Sequence, residues 1–225
     1  MPRAPVVFLV DVDNTLLDND RLLADMCARV TRAEGAAGLR RFWEHVEALR
    51  AELGYADYLG ALQRLRRERP YAPSLLAIAD WMLDYPFERR LHPHALAVLR
   101  HLRRRGRTAL LTDGDVVFQP RKVARSGLLH AVGGQVLVAV HKERELDAVA
   151  RRWPARHYVL FDDKLHILAA AKAHWGARLT TVFVRQGQYA HDPAIVGANP
   201  PADLSIARIG AVLRLGTAEL IAAAG

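Results

Sequence analysis

Asp11 and Asp13 stand two residues apart, with Thr15 two further on, where an apolar run from Ala4 to Val10 ends. Three more polar clusters follow apolar runs in the same way: Thr112-Asp113-Gly114-Asp115, His141-Lys142 and Asp162-Asp163. A carboxylate such as Asp11 can attack phosphorus and form an acyl phosphate. A second carboxyl at Asp13 can protonate the leaving oxygen and then deprotonate an attacking water. The Thr112 hydroxyl and the backbone around Asp113 and Gly114 suit a phosphate cradle, with Gly114 admitting close approach. Lys142 can neutralise both the nucleophile and a phosphoryl oxygen. Lys122 and Lys164 are rivals for that task, and Lys142 is preferred because it follows a strand directly; His141 reads as its neighbour rather than a participant. The adjacent carboxylates Asp162 and Asp163 repel one another unless a cation or a donor compensates. Mg²⁺ is held by one or two carboxylates together with waters and substrate phosphate. Asp11 with one of this pair meets that need.

Plainer readings exist for single clusters. An Asp-x-Asp start also opens a calcium loop, but that loop needs Gly and Glu where this chain has Leu16 and Leu22. Asp-Gly alone is a turn signal. The weight lies in all four clusters falling at strand ends.

The elements that would position these groups alternate. Strands are expected at Pro5–Val10, Thr108–Leu111, Val136–Val140, Tyr158–Phe161, Thr180–Val184 and Leu204–Ile206. Between them, helices are expected at Ala95–Arg105, Gln119–Ser126, Glu143–Arg152 and Leu165–Trp175, with a last one at about 210–222. Such alternation implies crossover units and a parallel sheet, with strands buried on both faces. Parallel strands share one carboxyl edge, so all four clusters should meet on one rim, where open α/β sheets bind ligands. Residues from about 17 to 91 break the pattern. Leu22, Leu23, Met26 and Val30 make one helical face, and Phe42, Val46, Leu49 and Leu53 make a second. Tyr55 to Leu65 and Ser74 to Leu83 make two more, and 186–201 reads as a loop. The expected organisation is therefore an α/β core of residues 1–16 and 92–225 with a helical insert, 17–91.

Composition narrows the class. Half of the 225 residues are apolar, enough for a substantial core. No apolar run approaches a bilayer span, and the first is too short for a signal peptide, so no membrane association and a cytoplasmic location are expected. Cys27 is the lone cysteine, which excludes an internal disulfide and a zinc cluster. The net charge of +8 would attract anions. Of the 32 basic residues 28 are Arg, scattered without aromatic interleaving, so solvated helix faces are expected rather than a nucleic-acid surface.

The four motifs, DVDNT, LLTDGD, Lys142 at the start of a helix and LFDD, occur in the order seen in the haloacid dehalogenase (HAD) superfamily, which this chain resembles. The stretch LHPHALAVLRHLRRRGRTALLTDGD is similar to that family's return from cap to core. The resemblance implies a Rossmann-like parallel sheet with a C1-type helical cap. It implies a Mg²⁺-dependent phosphatase acting on a small phosphorylated substrate. By position, Asp11 would be the nucleophile and Asp13 the general acid/base, with the Asp13 backbone carbonyl offered to the metal. Thr112 and Lys142 would hold the phosphoryl group. Asp163 would ligate the metal, with Asp162 as ligand or partner. Many members carry a further acid four or five residues after the last motif; here those places hold Ile167 and Leu168, which bears on metal geometry. Three other readings are a HAD-fold protein that binds a phosphorylated ligand or partner without turnover, nonspecific nucleic-acid binding through the basic surface, and a 2-haloacid dehalogenase. Asp13 and the Asp162-Asp163 pair speak against the last of these, since that chemistry needs neither a proton donor nor a metal.

Overall fold

A computed structural model describes residues 4–222. Six strands form one sheet: β1 (Ala4–Val10), β2 (Arg107–Asp113), β3 (Val136–Ala139), β4 (Ala155–Asp162), β5 (Leu179–Val184) and β6 (Leu204–Ile206). Every pairing is parallel and the order is β3-β2-β1-β4-β5-β6. The chain thus builds outward from β1 in one direction and then restarts at β4 in the other. The switch point lies between β1 and β4, where such sheets leave a crevice at their carboxyl ends. Val10 pairs with Leu110 on one side and Phe161 on the other, so Asp11 emerges between the second and fourth motifs.

Both faces of the sheet are covered, which is why β1 reads as a continuous apolar run. Val6, Phe8 and Val10 point into one core, and Val7 and Leu9 into the other. The second core is closed by α7 (Leu146–Arg152) and α8 (Leu165–Trp175), through Leu146, Val149, Leu165 and Leu168. The first is closed by α4 (Ala95–Arg103), α5 (Phe118–Arg125) and α6 (Leu128–Ala131). It runs on without a break into the inserted helices α1 (Asn19–Leu53), α2 (Tyr58–Glu68) and α3 (Pro73–Leu83). Leu22, Met26, Phe42, Val46, Leu62, Ile78 and Met82 are all buried there. The chain leaves the sheet and returns to it side by side: Leu17 bridges Leu91, Asp18 N–H donates to Arg90 O at 2.7 Å, and His92 N–H to Leu16 O at 2.9 Å.

The two helical faces expected before residue 54 are found: α1 consists of two helical stretches that meet at a kink at Gly35, where φ is 73° and ψ 178°, a conformation open to glycine. Other expectations need correction. The helix expected from Glu143 begins at Leu146. Lys142–Arg144 forms a tight 3₁₀ turn instead, because the Lys142 N–H is drawn to the Asp113 carboxylate at 2.7 Å. The segment after β5 is not all loop: Asp192 caps the short helix α9 (Pro193–Gly197). The last helix is two pieces, a 3₁₀ stretch Ile209–Arg214 and α10 (Thr217–Ala222), separated where Leu215 is extended. As an edge strand, β3 is half-buried along most of its length rather than enclosed.

Candidate active site

Asp11 follows β1 directly and is buried. Its Oδ1 lies 2.5 Å from Lys142 Nζ, which also stands 2.6 Å from Asp162 Oδ2. Lys142 is itself buried, held in place by the Asp113 carboxylate on its backbone N–H. Asp162 closes β4, and its other oxygen accepts from Lys164 N–H at 2.9 Å. Asp163 differs from all of these. It is buried, and neither carboxylate oxygen has a hydrogen-bond partner. Among the described residues, Asp11, Asp162 and Asp163 each offer an oxygen, all within 4.8 Å of one another.

Three carboxyls facing two ammonium groups, Lys142 against Asp11 and Asp162 and Lys164 nearer Asp163, still leave an excess of negative charge in a buried place. Burial drives the Asp11 carboxyl up to about 7, Asp162 and Asp13 add repulsion, and Lys142 works against them. Burial, then Asp162 and Asp11, push Asp163 well above the usual carboxylate range. Burial alone would neutralise Lys142, but Asp11, Asp162 and Asp113 outweigh it and hold the ammonium well above its ordinary value. A divalent cation would remove the excess. Hard carboxylate oxygens, two of them orphaned on Asp163, fit Mg²⁺.

Asp13 sits higher on the rim, its side chain 27% exposed. Both of its oxygens are engaged by α5. Lys122 Nζ lies 2.7 Å and 2.9 Å from them, and Gln119 Nε2 donates at 3.3 Å. Gln119 Nε2 also donates to Thr112 Oγ1 at 2.8 Å. Asn14, in a left-handed conformation at φ 59°, ties this loop to α1: its Oδ1 accepts from Asn19 N–H at 3.0 Å and Asp20 N–H at 3.2 Å. Asp115 caps the start of α5 by accepting from Val117 and Phe118 N–H.

Above these groups lies a cavity of about 520 Å³. Asp13, Gly114, Gln119, Lys122, Asp163 and Lys164 line it from the sheet side. Leu23, Arg50, Tyr55 and Tyr58 line it from the inserted helices. Gly54, at the end of α1, brings the insert onto the rim. Its φ is 86°, and a Cβ there would stand 2.5 Å from His141 Nε2. A hollow of similar size, about 530 Å³, opens at the amino edge of the sheet beside Arg103, Arg107 and Trp153, but no carboxylate lines it.

The structure brings Asp11, Asp13, Thr112, Asp113, Gly114, Lys142, Asp162 and Asp163 to one rim. Two of them are engaged differently from the phosphate cradle expected. The Gly114 N–H is spent on Ala139 O at 2.9 Å, continuing the strand ladder, so this residue would meet an anion through its missing side chain alone. The Asp113 carboxylate serves Lys142. Lys122 and Lys164, which the sequence offers only as rivals of Lys142, both reach the site, and Gln119 is a contact the sequence does not signal. Composition held a signal for the two lysines. The chain has 28 Arg and only four Lys, and Lys122, Lys142 and Lys164 all converge here.

A family model for haloacid dehalogenase-like hydrolases matches residues 6–174. No curated protein matches the chain. A solved structure from Burkholderia xenovorans LB400, described as a haloacid dehalogenase-like hydrolase, is 57% identical, covering 96% of this chain and 100% of that one with a TM-score of 0.90. The L-2-haloacid dehalogenase of Xanthobacter autotrophicus shares the fold at 18% identity, covering 93% and 97% with a TM-score of 0.61. The HAD hydrolase YfnB of Bacillus subtilis, solved with magnesium bound, does so at 16% identity, covering 95% and 98% with a TM-score of 0.61. With its Rossmann-like α/β sheet and four motifs on one rim, the chain belongs to the haloacid dehalogenase-like hydrolases.

Proposed function

We propose that this hydrolase is a Mg²⁺-dependent phosphatase that cleaves small phosphomonoesters through an aspartyl phosphate on Asp11. The observation that carries this reading is the Asp163 carboxylate, buried and without a partner beside Asp11 and Asp162. Hydrolysis at carbon with loss of halide has no use for that group, nor for a proton donor at Asp13.

The Asp11 carboxylate attacks phosphorus. An O–P bond forms as the P–O bond to the leaving group breaks, and the leaving oxygen takes a proton from the Asp13 carboxyl. Water then attacks the phosphoryl group and gives its proton to Asp13, which frees inorganic phosphate and restores Asp11. Thr112 and Lys142 hold the phosphoryl oxygens. Asp11, Asp163 and the Asp13 backbone carbonyl would hold Mg²⁺, with Asp162 beside them, and the ion would neutralise charge on the phosphoryl group. Residues 17–91 serve as a cap that shuts out water and selects the substrate through Leu23, Arg50, Tyr55 and Tyr58. A cavity of about 520 Å³ suits a small metabolite.

Phosphate release from p-nitrophenyl phosphate and a panel of phosphomonoesters, with Mg²⁺ and with excess chelator, tests the reading. Turnover that needs Mg²⁺ supports it. Full turnover in chelator overturns it, as does halide release from 2-chloropropionate with no phosphate release from any ester.

A further inference from the structure

Lys122 is among the most deeply buried side chains of the protein, yet it ends in an ammonium group. Its Nζ spends its donors on Asp13 Oδ1 at 2.7 Å, Asp13 Oδ2 at 2.9 Å and Asn19 Oδ1 at 3.2 Å. Nζ also lies 5.5 Å from the centre of the Phe118 ring. The three oxygens belong to two places, the loop after β1 and the first residue of α1. Gln119, three residues earlier on α5, extends the same chain of contacts from Asp13 to the Thr112 hydroxyl. One helix therefore links a phosphate-holding group, a proton-transferring group and the start of the inserted helices. Burying an ammonium is costly unless every donor is met, so a lysine in this position marks a geometry that the fold enforces. The scarcity of lysine in this chain points the same way.

We propose that Lys122 is a positioning residue for Asp13. It fixes the rotamer of that carboxyl relative to the phosphate site and to the start of α1 at Asn19. Without it the carboxyl turns away from the leaving oxygen, while attack by Asp11 is left intact. This rests on the phosphatase reading for its kinetic consequences but not for its structural one.

The kinetic test follows formation of the phospho-enzyme by rapid quench in a folded Lys122→Met variant. A nitrophenolate leaves without a proton, whereas an alkoxide needs one. General acid help is typically worth about 10²–10⁴-fold. The variant should slow an alkyl phosphate by about 10–100-fold and p-nitrophenyl phosphate by less than about threefold. Lys122→Arg, which keeps the cation, should restore part of the difference. In a double-mutant cycle, adding Lys122→Met to Asp13→Asn should cost almost nothing more, since Lys122 acts through Asp13. A merely structural role would slow both substrates alike and would add fully to Asp13→Asn, and either result overturns the proposal. A crystal structure of Lys122→Met provides the second readout. A shifted Asp13 carboxyl is expected, and one left in place overturns the proposal even if Asp13→Asn is slow. If the unaltered enzyme turns over no phosphomonoester, the phosphatase reading falls on its own, and the Asp13 rotamer still decides the role of Lys122.

Discussion

Replacing Asp11 with Asn should abolish turnover and, without metal, stabilise the fold. Asp11 is buried, and its carboxyl titrates near 7 rather than 3.8, chiefly through burial, with Asp162 and Asp13 adding repulsion against Lys142. The folded protein thus holds this proton more tightly than the unfolded chain does. Stability is fully present below about pH 4, falls as pH rises, and is lowest above about 7. At pH 8 the loss amounts to about 4 kcal/mol, since each tenfold change in proton affinity is worth about 1.4 kcal/mol. Asn resembles the protonated acid and escapes that loss. For a chain of this length the difference is roughly 10 °C in melting temperature. Calorimetric melting in chelator at pH 8 should show the Asp11→Asn protein that much more stable, with the gap shrinking to about 2 kcal/mol at pH 5. Saturating Mg²⁺ should raise the unaltered protein more than the variant and narrow the gap at pH 8. A gap of the same size at both pH values, or a variant less stable at pH 8, would refute the idea that this site carries uncompensated charge.

Asp163→Asn should weaken Mg²⁺ binding by at least about tenfold in titration calorimetry while leaving the fold intact, as expected for loss of a metal contact. Because Asp11 and Asp163 both titrate above the ordinary carboxylate range, Mg²⁺ binding should release protons and tighten between pH 6 and 8; calorimetry in buffers of different ionisation enthalpy measures this, and a pH-independent affinity would count against it. Asp13→Asn should slow phospho-enzyme formation by about 10²–10⁴-fold for alkyl phosphates and far less for p-nitrophenyl phosphate, with equal losses removing Asp13 from the proton-donor role. Gly54→Ala places a methyl at φ 86° against His141 and should cost about 1–2 kcal/mol in urea unfolding; a change too small to measure would mean that the insert sits less tightly on the rim.

Much of this was legible in the residues because a parallel sheet turns a sequence pattern into a place. Apolar runs ending in Asp11, Thr112 and Asp162 could only deliver those side chains to one edge. The engagement of Asp13 by Lys122 and Gln119 was harder to read. They lie three residues apart on an amphipathic helix and reach Asp13 across more than a hundred positions, a contact that helix packing creates and no local spacing encodes. Helix ends were misjudged where one local interaction outweighed periodicity. Asp113 captures the Lys142 N–H, and an extended Leu215 splits the last helix.

The central position of β1 has a consequence for biosynthesis. β1 needs partners on both sides, and both are made after it, about 100 and about 150 positions further along. At translation rates of about 5–20 residues per second, β1 waits roughly 5–20 s for β2 and longer for β4. Over that interval Val6 to Val10 have neither edge satisfied nor either face covered by the sheet's own helices. Asp11 gains its neighbours Asp162 and Asp163 only after about 150 further residues have emerged. A nascent or truncated chain ending before β4 therefore exposes an unpaired apolar strand and has no metal-binding carboxylate cluster, so its fate in the cell is decided by whatever shields that strand.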